Sequence, residues 1–575
     1  MGTVSTTSVR PALPATHALR HLSGKAVGRL LGLGPAITDY TVERVRVPMR
    51  DGVQLVADHY APTTASALGT LLVRGPYGRM FPYSLLFGAV YAGHGYHVVL
   101  QSVRGTFGSG GVFEPMAHEI ADGADTVDWL RAQPWFAGRF ATIGWSYLGF
   151  TQWALLQDPP PELATAVIMT APHDFHESTW GTGTFAVNDF LGWSDMMAHQ
   201  EDPVRVRTAL RHVQGHRKVA QAAAGVPLGE AARALLGTGA PWFESWVEHR
   251  DPNDAFWNRL RCSEALDQVQ VPVLLMGGWQ DIFIGQTLQQ YAHLRGRGVD
   301  VALTVGPWTH TQLLTTGLFT WTQESFDWLG THLGGAPTAR RPNRVRAYVT
   351  GAGWRGLPDW PPATTERALY LRPGGYLGET APALKGLAPA TFRYDPADPT
   401  PTTGGPLLSP NGGYRNDSRL AARADVLAFT SATLTEDLYV YGSPILELAH
   451  SADSPHADLF VRVSEVDAKG RSRNVSEGYR RLESAAKPKS EKTVRLDLDG
   501  TAHRFRAGSR VRVLIAGSWS PRYAHNLGSG EPVLTGRQPK AVTHRVRYGR
   551  SRLLLPVGPA ELSADGVADP GSDRG

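Results

Sequence analysis

The chain has 575 residues, a length that predicts two or three domains. Of these residues 42% are hydrophobic and 19% charged, a composition typical of a folded protein rather than of a disordered one. Its formal net charge of +5 is small for this length and contains no long basic block, which argues against a nucleic-acid-binding protein. No apolar run is long enough to span a bilayer, so we expect no membrane insertion.

The only cysteine, Cys262, cannot form an intramolecular disulfide, so the fold does not depend on an oxidising compartment. We expect its thiol to be buried and inert. The first residues contain Arg and His throughout and lack the apolar segment of a secretory signal peptide. These features predict a cytoplasmic protein with an N-terminal extension over residues 1–38.

The first folded segment reads as a β-hairpin. Residues Val42–Val47 alternate in polarity, Asp51 begins a tight Asp-Gly turn, and Val53–Asp58 alternate again. Two short apolar runs follow, Gly69–Arg74 and Tyr96–Gln101, and their flanking Gly or Pro residues are typical of buried parallel strands.

Helices and strands then alternate along the chain. Residues Ala121–Arg131 have helical spacing, Phe140–Gly144 form a predicted strand, a helix follows as far as Leu156, and Ala164–Met169 form the next strand. This alternation predicts a doubly wound α/β sheet, whose first part occupies residues 39–174.

A long insertion interrupts this pattern over residues 175–266. It is rich in Trp, His, Arg and Ala, reads as several helices, and exceeds an ordinary connection, which predicts a helical cap over the sheet. The strand pattern resumes at Val271–Met276 and Val301–Val305, and Phe319–Leu333 reads as a closing helix. Residues 267–340 are therefore predicted to complete the core.

Helical signals nearly vanish beyond Arg344. Short alternating segments recur between Gly and Pro turns, which predicts an all-β sandwich domain over residues 341–556. These segments include Arg346–Val349, Leu438–Tyr441, Asp458–Val463 and Arg510–Ile515. Pro396–Gly413 is predicted to be a long loop, and residues 557–575 a disordered tail.

A candidate nucleophile lies between the strand at Phe140–Gly144 and the helix that follows it. The segment from Gly144 to Gly149 reads Gly-Trp-Ser-Tyr-Leu-Gly, a G-x-S-x-G elbow with one extra residue before the second glycine. A sharp strand-to-helix turn lifts a serine hydroxyl above the sheet, so this context predicts Ser146 as a nucleophile and an α/β-hydrolase core. The alternative is a Gly-rich turn with an incidental serine.

A serine hydroxyl needs a base, and the base needs an acid that orients it. In this fold class the acid and the histidine follow the serine in that order. Asp281 and His310 lie just beyond the carboxyl ends of two consecutive predicted strands, where functional residues of α/β sheets gather. Alternatively, Asp281 is a helix N-cap and His310 a loop histidine bound to a carbonyl.

The reaction also needs donors for an oxyanion. The backbone N–H of Tyr147 is placed by the elbow geometry, and Tyr77 follows the strand at Gly69–Arg74, from where its hydroxyl could be a second donor. A Pro-Tyr turn that only packs on its neighbours is an equal alternative for Tyr77. This chemistry requires no metal and no organic cofactor.

Several ordered motifs resemble one known family. The chain is similar to the cocaine esterase and X-Pro dipeptidyl-peptidase (CocE/NonD) hydrolases, which include α-amino acid ester hydrolases and glutaryl-cephalosporin acylases. The resemblance covers roughly residues 42–555. The matching segments are Met49–Leu55, Arg74–Tyr77, Gln101–Gly105, Gly144–Gly149, Gly278–Asp281, Gly306–His310, Gly442–Pro444, Asp458–Leu459 and Pro521–Tyr523.

The resemblance implies an α/β-hydrolase core, a helical cap and a C-terminal jelly roll of the galactose-binding-like type. It also implies a triad on Ser146, Asp281 and His310, and an oxyanion donor on Tyr77. The sequence departs from the family pattern where Ser102 replaces the usual Asp, Gln280 replaces a common aromatic residue and Thr311 replaces a frequent Gly. Of these changes, Gln280 is expected to alter the shape of the pocket.

The predicted activity is hydrolysis of a carboxylic ester or amide of a small molecule, most simply by a carboxylesterase. One alternative is an X-Pro dipeptidyl aminopeptidase or an acylase, in which cap carboxylates hold a substrate amine. Candidates for such carboxylates are Glu177, Asp195 and Glu201, although a solvated helix face also explains them.

A second alternative, from another class, is a glycan-binding protein with an inactive hydrolase core. The cap aromatics Trp180, Phe190, Trp193 and Trp257 indicate either an apolar pocket or the core of the cap. The oligomeric state stays open, and a homodimer is one option.

Overall fold

The computed structural model of the chain describes residues 26–202, 215–335, 341, 343–383, 385–483 and 490–560. The predictions for residues 1–25 of the N-terminal extension and for residues 561–575 of the tail lie outside this part of the chain. Among the described residues, no helix combines the length and apolar character needed to cross a membrane.

A ten-stranded sheet forms the core, in the order β1-β2-β4-β3-β5-β6-β7-β8-β9-β10. Strands β3 to β9 pair in parallel, and antiparallel pairs lie at both edges. The predicted doubly wound α/β-hydrolase-like core is therefore confirmed. The strands are β1 Tyr40–Pro48, β2 Gln54–Pro62, β3 Gly69–Gly75, β4 Tyr96–Ser102, β5 Phe140–Trp145, β6 Leu163–Met169, β7 Val273–Gln280, β8 Val301–Thr309, β9 Val345–Val349 and β10 Gly353–Leu357.

One strand belongs to a different sheet from the one predicted. The alternation of Arg346–Val349 predicts a strand of the β-domain, but β9 pairs in parallel with β8 and extends the core sheet. Val345, Ala347 and Val349 are fully buried, and the residues between them are partly exposed. The period of two is the same in any half-buried strand, so the alternation predicts a strand without specifying its partner.

Ten α-helices whose full extent lies in the described part of the chain surround the core sheet or build the cap. They are α1 Val90–Gly93, α2 Glu119–Arg131, α3 Tyr147–Leu155, α4 Phe175–Trp180, α5 Val187–His199, α6 Leu228–Leu236, α7 Trp242–Glu248, α8 Ala265–Gln268, α9 Ile284–Gly296 and α10 Leu318–His332. Shorter helical turns lie at Ser84–Ala89, Ala255–Leu260, Gln312–Leu314 and Leu420–Ala422. All nine residues of α3 are buried, so the helix that follows Ser146 is fixed on every face.

Helices α4 to α7 belong to the cap, which has its own aromatic core. The Phe175 ring packs edge-on against Phe190 and Trp246, at centroid distances of 5.1 and 4.7 Å. Cys262 is buried beneath the cap and its backbone N–H donates to the carbonyl of His173. Burial raises the pKa of the Cys262 thiol, which keeps it protonated and inert, as expected from the sequence.

The C-terminal domain is all-β and packs a separate core made mainly of leucine, valine and phenylalanine side chains. Its longest strands, β17 and β18, form an antiparallel pair with one irregularity in register, between Val463 and Ser464. The strands are β11 Thr365–Arg372, β12 Tyr376–Gly378, β13 Ala390–Tyr394, β14 Val426–Ser431, β15 Leu438–Gly442, β16 Ile445–Ala452, β17 His456–Val466, β18 Ser472–Glu483, β19 Lys492–Asp497, β20 Thr501–Phe505, β21 Arg510–Ala516, β22 Val542–Val546 and β23 Arg552–Val557.

Candidate active site

Ser146 lies at the turn between β5 and α3, in a strained backbone conformation. Its φ of 55° and ψ of −123° are unfavourable for a residue with a side chain, and such strain costs on the order of 1–3 kcal/mol. The surroundings impose it, because the Ser146 N–H donates to the carbonyl of Met169 at 3.0 Å. At Gly149, a Cβ atom would lie 2.3 Å from the Cβ of Ala171, so only glycine allows this approach of helix to sheet.

Asp281 and His310 meet beyond the ends of two adjacent parallel strands. Gln280 and Thr309 are paired residues at the ends of β7 and β8, so the residues that follow them are neighbours. The ring nitrogen Nδ1 of His310 is 2.7 Å from Oδ1 of Asp281, whose side chain is fully buried. With Nδ1 donating to this carboxylate, Nε2 of His310 is the nitrogen that can accept a proton.

The Tyr77 hydroxyl lies directly beside Ser146. It hydrogen-bonds with the Ser146 side chain, and it accepts from the backbone N–H of Tyr147. Nε1 of Trp193 also donates to it, at 3.1 Å. Burial raises the pKa of Tyr77 above its usual value, so the hydroxyl keeps its proton and can donate it. The role of Tyr77 as an oxyanion donor stays a prediction.

The side chain of Tyr147 is fixed by a buried ion pair that the sequence analysis missed. Its hydroxyl donates to Oε1 of Glu119 at 2.9 Å and accepts from the N–H of Met116 at 2.7 Å. Glu119 in turn pairs with Arg74 at 3.0 Å, and both side chains are 3% exposed. No local signal marked Glu119, because an acidic residue at the start of a helix is ordinary.

Two of the four cap aromatics reach the site. Trp193 stacks on Tyr147, with ring centroids 6.2 Å apart, and bonds to Tyr77, while Phe190 lines the acidic cavity described below. Trp180 and Trp257 are buried in the cap core instead. On the core side, the Phe283 ring packs edge-on against His310 at 5.3 Å, so aromatic rings line the approach to the serine and to the histidine.

A cavity of about 300 Å³ is lined by residues of the core, the cap and the β-domain. Ile282, directly after Asp281, lines it. Five carboxyl groups and one guanidinium also line it: Glu177, Asp189, Glu477, Asp497, Asp499 and Arg522. Burial raises the pKa of Asp189 to about 6 and that of Asp499 to about 7.

The remaining candidate residues lie elsewhere or serve other contacts. Among the predicted amine ligands, only Glu177 lines this cavity; Asp195 faces His199 at 3.2 Å, and Glu201 accepts from the N–H of Phe107 at 3.0 Å. Gln280, which was expected to alter the shape of the pocket, does not line this cavity. Its amide is 2% exposed and bonds to Val475 and Asn474 of the β-domain.

Comparisons with known proteins agree with this architecture. The model of the X-Pro dipeptidyl-peptidase (S15) family matches residues 51–312, and that of the X-Pro dipeptidyl-peptidase C-terminal non-catalytic domain matches residues 338–553. Cocaine esterase of Rhodococcus sp. (strain MB1 Bresler) is 30% identical, over 90% of this chain and 99% of that protein. The chain belongs to the cocaine esterase and X-Pro dipeptidyl-peptidase (CocE/NonD) family. It is therefore a hydrolase of the S15 serine peptidase and esterase type.

Solved structures of related hydrolases have the same fold. An aminopeptidase from the marine sediment archaeon Thaumarchaeota archaeon aligns with a TM-score of 0.77 and 25% identity, over 90% of this chain and 96% of that one. An α-amino acid ester hydrolase aligns with a TM-score of 0.77 and 24% identity, over 92% and 98%. The family resemblance seen in the sequence motifs is thus confirmed, as is the combination of an α/β core with a C-terminal all-β domain.

Proposed function

We propose that this protein is a carboxylesterase that cleaves small-molecule esters through an acyl-enzyme on Ser146. Nε2 of His310 accepts the Ser146 proton as Oγ attacks the ester carbonyl carbon. Asp281 holds the ring by its Nδ1–H and stabilises the imidazolium that forms. The carbonyl oxygen becomes an oxyanion and receives hydrogen bonds from Tyr77 and from the Tyr147 N–H.

Collapse of this intermediate expels the alcohol, which takes the proton from Nε2 of His310, and leaves the acyl group on Ser146. Water then attacks the acyl carbon and gives one proton to the same nitrogen. The second collapse returns that proton to Ser146 Oγ and releases the carboxylic acid, so the enzyme is restored. The imidazole of His310 thus carries the transferred proton in both halves of the reaction.

The observation that supports this proposal best is the position of the Tyr77 hydroxyl. It lies next to both the Ser146 side chain and the Tyr147 N–H, so two groups able to donate hydrogen bonds lie together beside a strained serine. Such a pair of donors stabilises a charge that develops only during acyl transfer. A serine with a purely structural role would not require this pair of donors.

A fluorophosphonate probe, which phosphonylates activated serines, tests the nucleophile. We expect labelling of the intact chain, an adduct located on Ser146 by mass spectrometry, and no labelling of Ser146→Ala. The matched serine control is Ser178→Ala in the cap, which should label like the parent because that hydroxyl only donates to the carbonyl of Asp174 and accepts from Gln286. Absence of labelling in folded protein would contradict the hydrolase mechanism and favour a binding role.

A second candidate function is hydrolysis of substrates that carry a free amine next to the acyl group. The acidic cavity beside Asp281 favours it, because Arg522 alone opposes its five carboxyl groups among the lining residues. Burial makes ionised Asp189 and Asp499 unfavourable, and a substrate ammonium group would relieve that cost. An aminopeptidase and an α-amino acid ester hydrolase are among the proteins with this fold.

Paired substrates separate the two candidates. Phenyl alaninate and phenyl propionate differ by one amine, and an X-Pro anilide tests the peptidase reaction. If the cavity holds an amine, kcat/KM should favour phenyl alaninate and this preference should fall in Asp189→Asn. Equal kcat/KM for both esters, with no anilide cleavage, would leave the simple carboxylesterase as the function.

A further inference from the structure

Asn474 lies in β18 of the β-domain and contacts two segments at once. Its side-chain Nδ2 donates to Oε1 of Gln280 at 3.0 Å and to the carbonyl of Gly413 at 3.2 Å. Its Oδ1 accepts from the backbone N–H of Arg415 at 2.6 Å. The residue is 3% exposed. Its amide is therefore used by the protein itself and is not available to a substrate.

The first contact, with Gln280, involves the residue directly before Asp281, the proposed catalytic acid. Gln280 is the last residue of β7 and directly precedes Asp281. Its own Nε2 donates to the carbonyl of Val475 at 3.2 Å, so both ends of the Gln280 amide bind strand β18. The parallel ladder between β7 and β8 is irregular between Gly278 and Gln280. Backbone pairing with β8 therefore holds the end of β7 less firmly than a regular parallel pairing would.

The second contact, with Gly413, involves the loop next to His310, the proposed catalytic base. Gly413 closes a loop by two hydrogen bonds of 2.8 Å with Gly405, and it packs on Thr309, the residue directly before His310. A Cβ atom at Gly413 would lie 3.0 Å from Cγ2 of Thr309, and the φ of +83° at this position also favours glycine. The loop that Asn474 holds thus rests against the end of β8.

We propose that Asn474 is a positioning residue that keeps Asp281 and His310 in register through the residues directly before each of them. This proposal rests on the roles proposed above for Asp281 and His310. Their 2.7 Å contact requires both strand ends to be held, and one buried amide from another domain contacts Gln280 and the loop that packs on Thr309. The β-domain is then part of the catalytic apparatus and not only an appended module.

Kinetics of Asn474→Leu test the proposal, since leucine keeps roughly the shape of asparagine and removes all three hydrogen bonds. Fluorophosphonate titration counts the active sites, and kcat is expressed per titrated site. We expect kcat to fall about ten- to a hundredfold, the cost of a small misplacement of catalytic groups, with KM unchanged. Gln280→Ala should cause a smaller fall, and the double variant should be no slower than Asn474→Leu.

Asn416→Ala is the matched control, because this exposed asparagine lies in the same region and its side chain accepts from the N–H of Ser418 within its own turn. It should keep the parent kcat. A purely structural role of Asn474 would reduce the number of titratable sites and leave kcat per site unchanged, which would overturn the proposal. Independent, multiplying losses in the double variant would also overturn it. Failure of the parent enzyme to label at Ser146 would instead refute the proposed function itself, and this inference with it.

Discussion

The Tyr147 hydroxyl donates a 2.9 Å hydrogen bond to the carboxylate of Glu119, which also pairs with Arg74. This contact links Tyr147, the residue that follows Ser146, to the first residue of helix α2. Removing one member of a buried ion pair leaves a charge without compensation, whereas removing a neutral hydroxyl leaves only an unpaired donor. The two cases predict different losses of stability.

Glu119→Ala is expected to lower the free energy of unfolding by about 3–5 kcal/mol, because the Arg74 guanidinium stays buried without its carboxylate. Tyr147→Phe keeps that ion pair and should cost only about 1–3 kcal/mol, from the unsatisfied N–H of Met116. Urea unfolding of both variants checks the order. Equal losses of unfolding free energy in the two variants would mean that the Glu119–Arg74 ion pair adds no stability beyond the hydrogen bonds of the Tyr147 hydroxyl.

Tyr77→Phe removes one proposed oxyanion donor and leaves the aromatic ring in place. We expect kcat for a phenyl ester to fall about 10²–10³-fold with little change in KM, since the lost bond strengthens only in the transition state. Tyr83→Phe is the control, because that ring stacks on Tyr77 at 5.8 Å. A comparable loss in Tyr83→Phe would show that removing a neighbouring buried hydroxyl is enough to lower the rate, so that the effect is not specific to the Tyr77 hydroxyl.

Asp281→Asn tests the proposed role of Asp281 as the acid that orients His310. The amide cannot stabilise an imidazolium and favours the wrong ring tautomer, so kcat should fall about 10⁴-fold. The exposed pair of Asp267 and His293 has the same 2.7 Å separation and provides a matched variant, Asp267→Asn. Steady-state hydrolysis should be unchanged in that control. Activity of Asp281→Asn within tenfold of the parent would remove Asp281 from the mechanism.

Asp189 makes stability depend on pH. Burial raises its pKa in the folded protein to about 6, above its value in the unfolded chain, so the folded state binds the proton more tightly. The stability contributed by this group is complete below about pH 4 and is lost as pH rises through about 6.

Relative to the parent, Asp189→Asn should therefore gain up to about 3 kcal/mol in the free energy of unfolding between about pH 4 and pH 7. Urea unfolding at several pH values measures this difference. Asp158→Asn, on an exposed bend, is the control for the same chemical change at the surface. A difference that is independent of pH would mean that Asp189 stays ionised in the folded state throughout this range.

The sequence alone determined most strands and helices of the core. Local periodicity predicted the strands that end near Ser146, Asp281 and His310, and chain order made the last two candidates for the acid and the base. The elements can be predicted because side-chain period and turn residues act over a few neighbours. The structure brings Asp281 and His310 into contact because parallel strands end at one edge of the sheet.

Only the tertiary structure decided which distant groups meet at that edge. Trp193 reaches Tyr77 from the cap, Asn474 reaches Gln280 from the β-domain, and β9 joins the core sheet. The separations along the chain are long: 116 residues for the first pair and 194 for the second. A buried amide or indole has the same local pattern whatever its partner, because hydrogen-bond partners are set by the packing of whole domains.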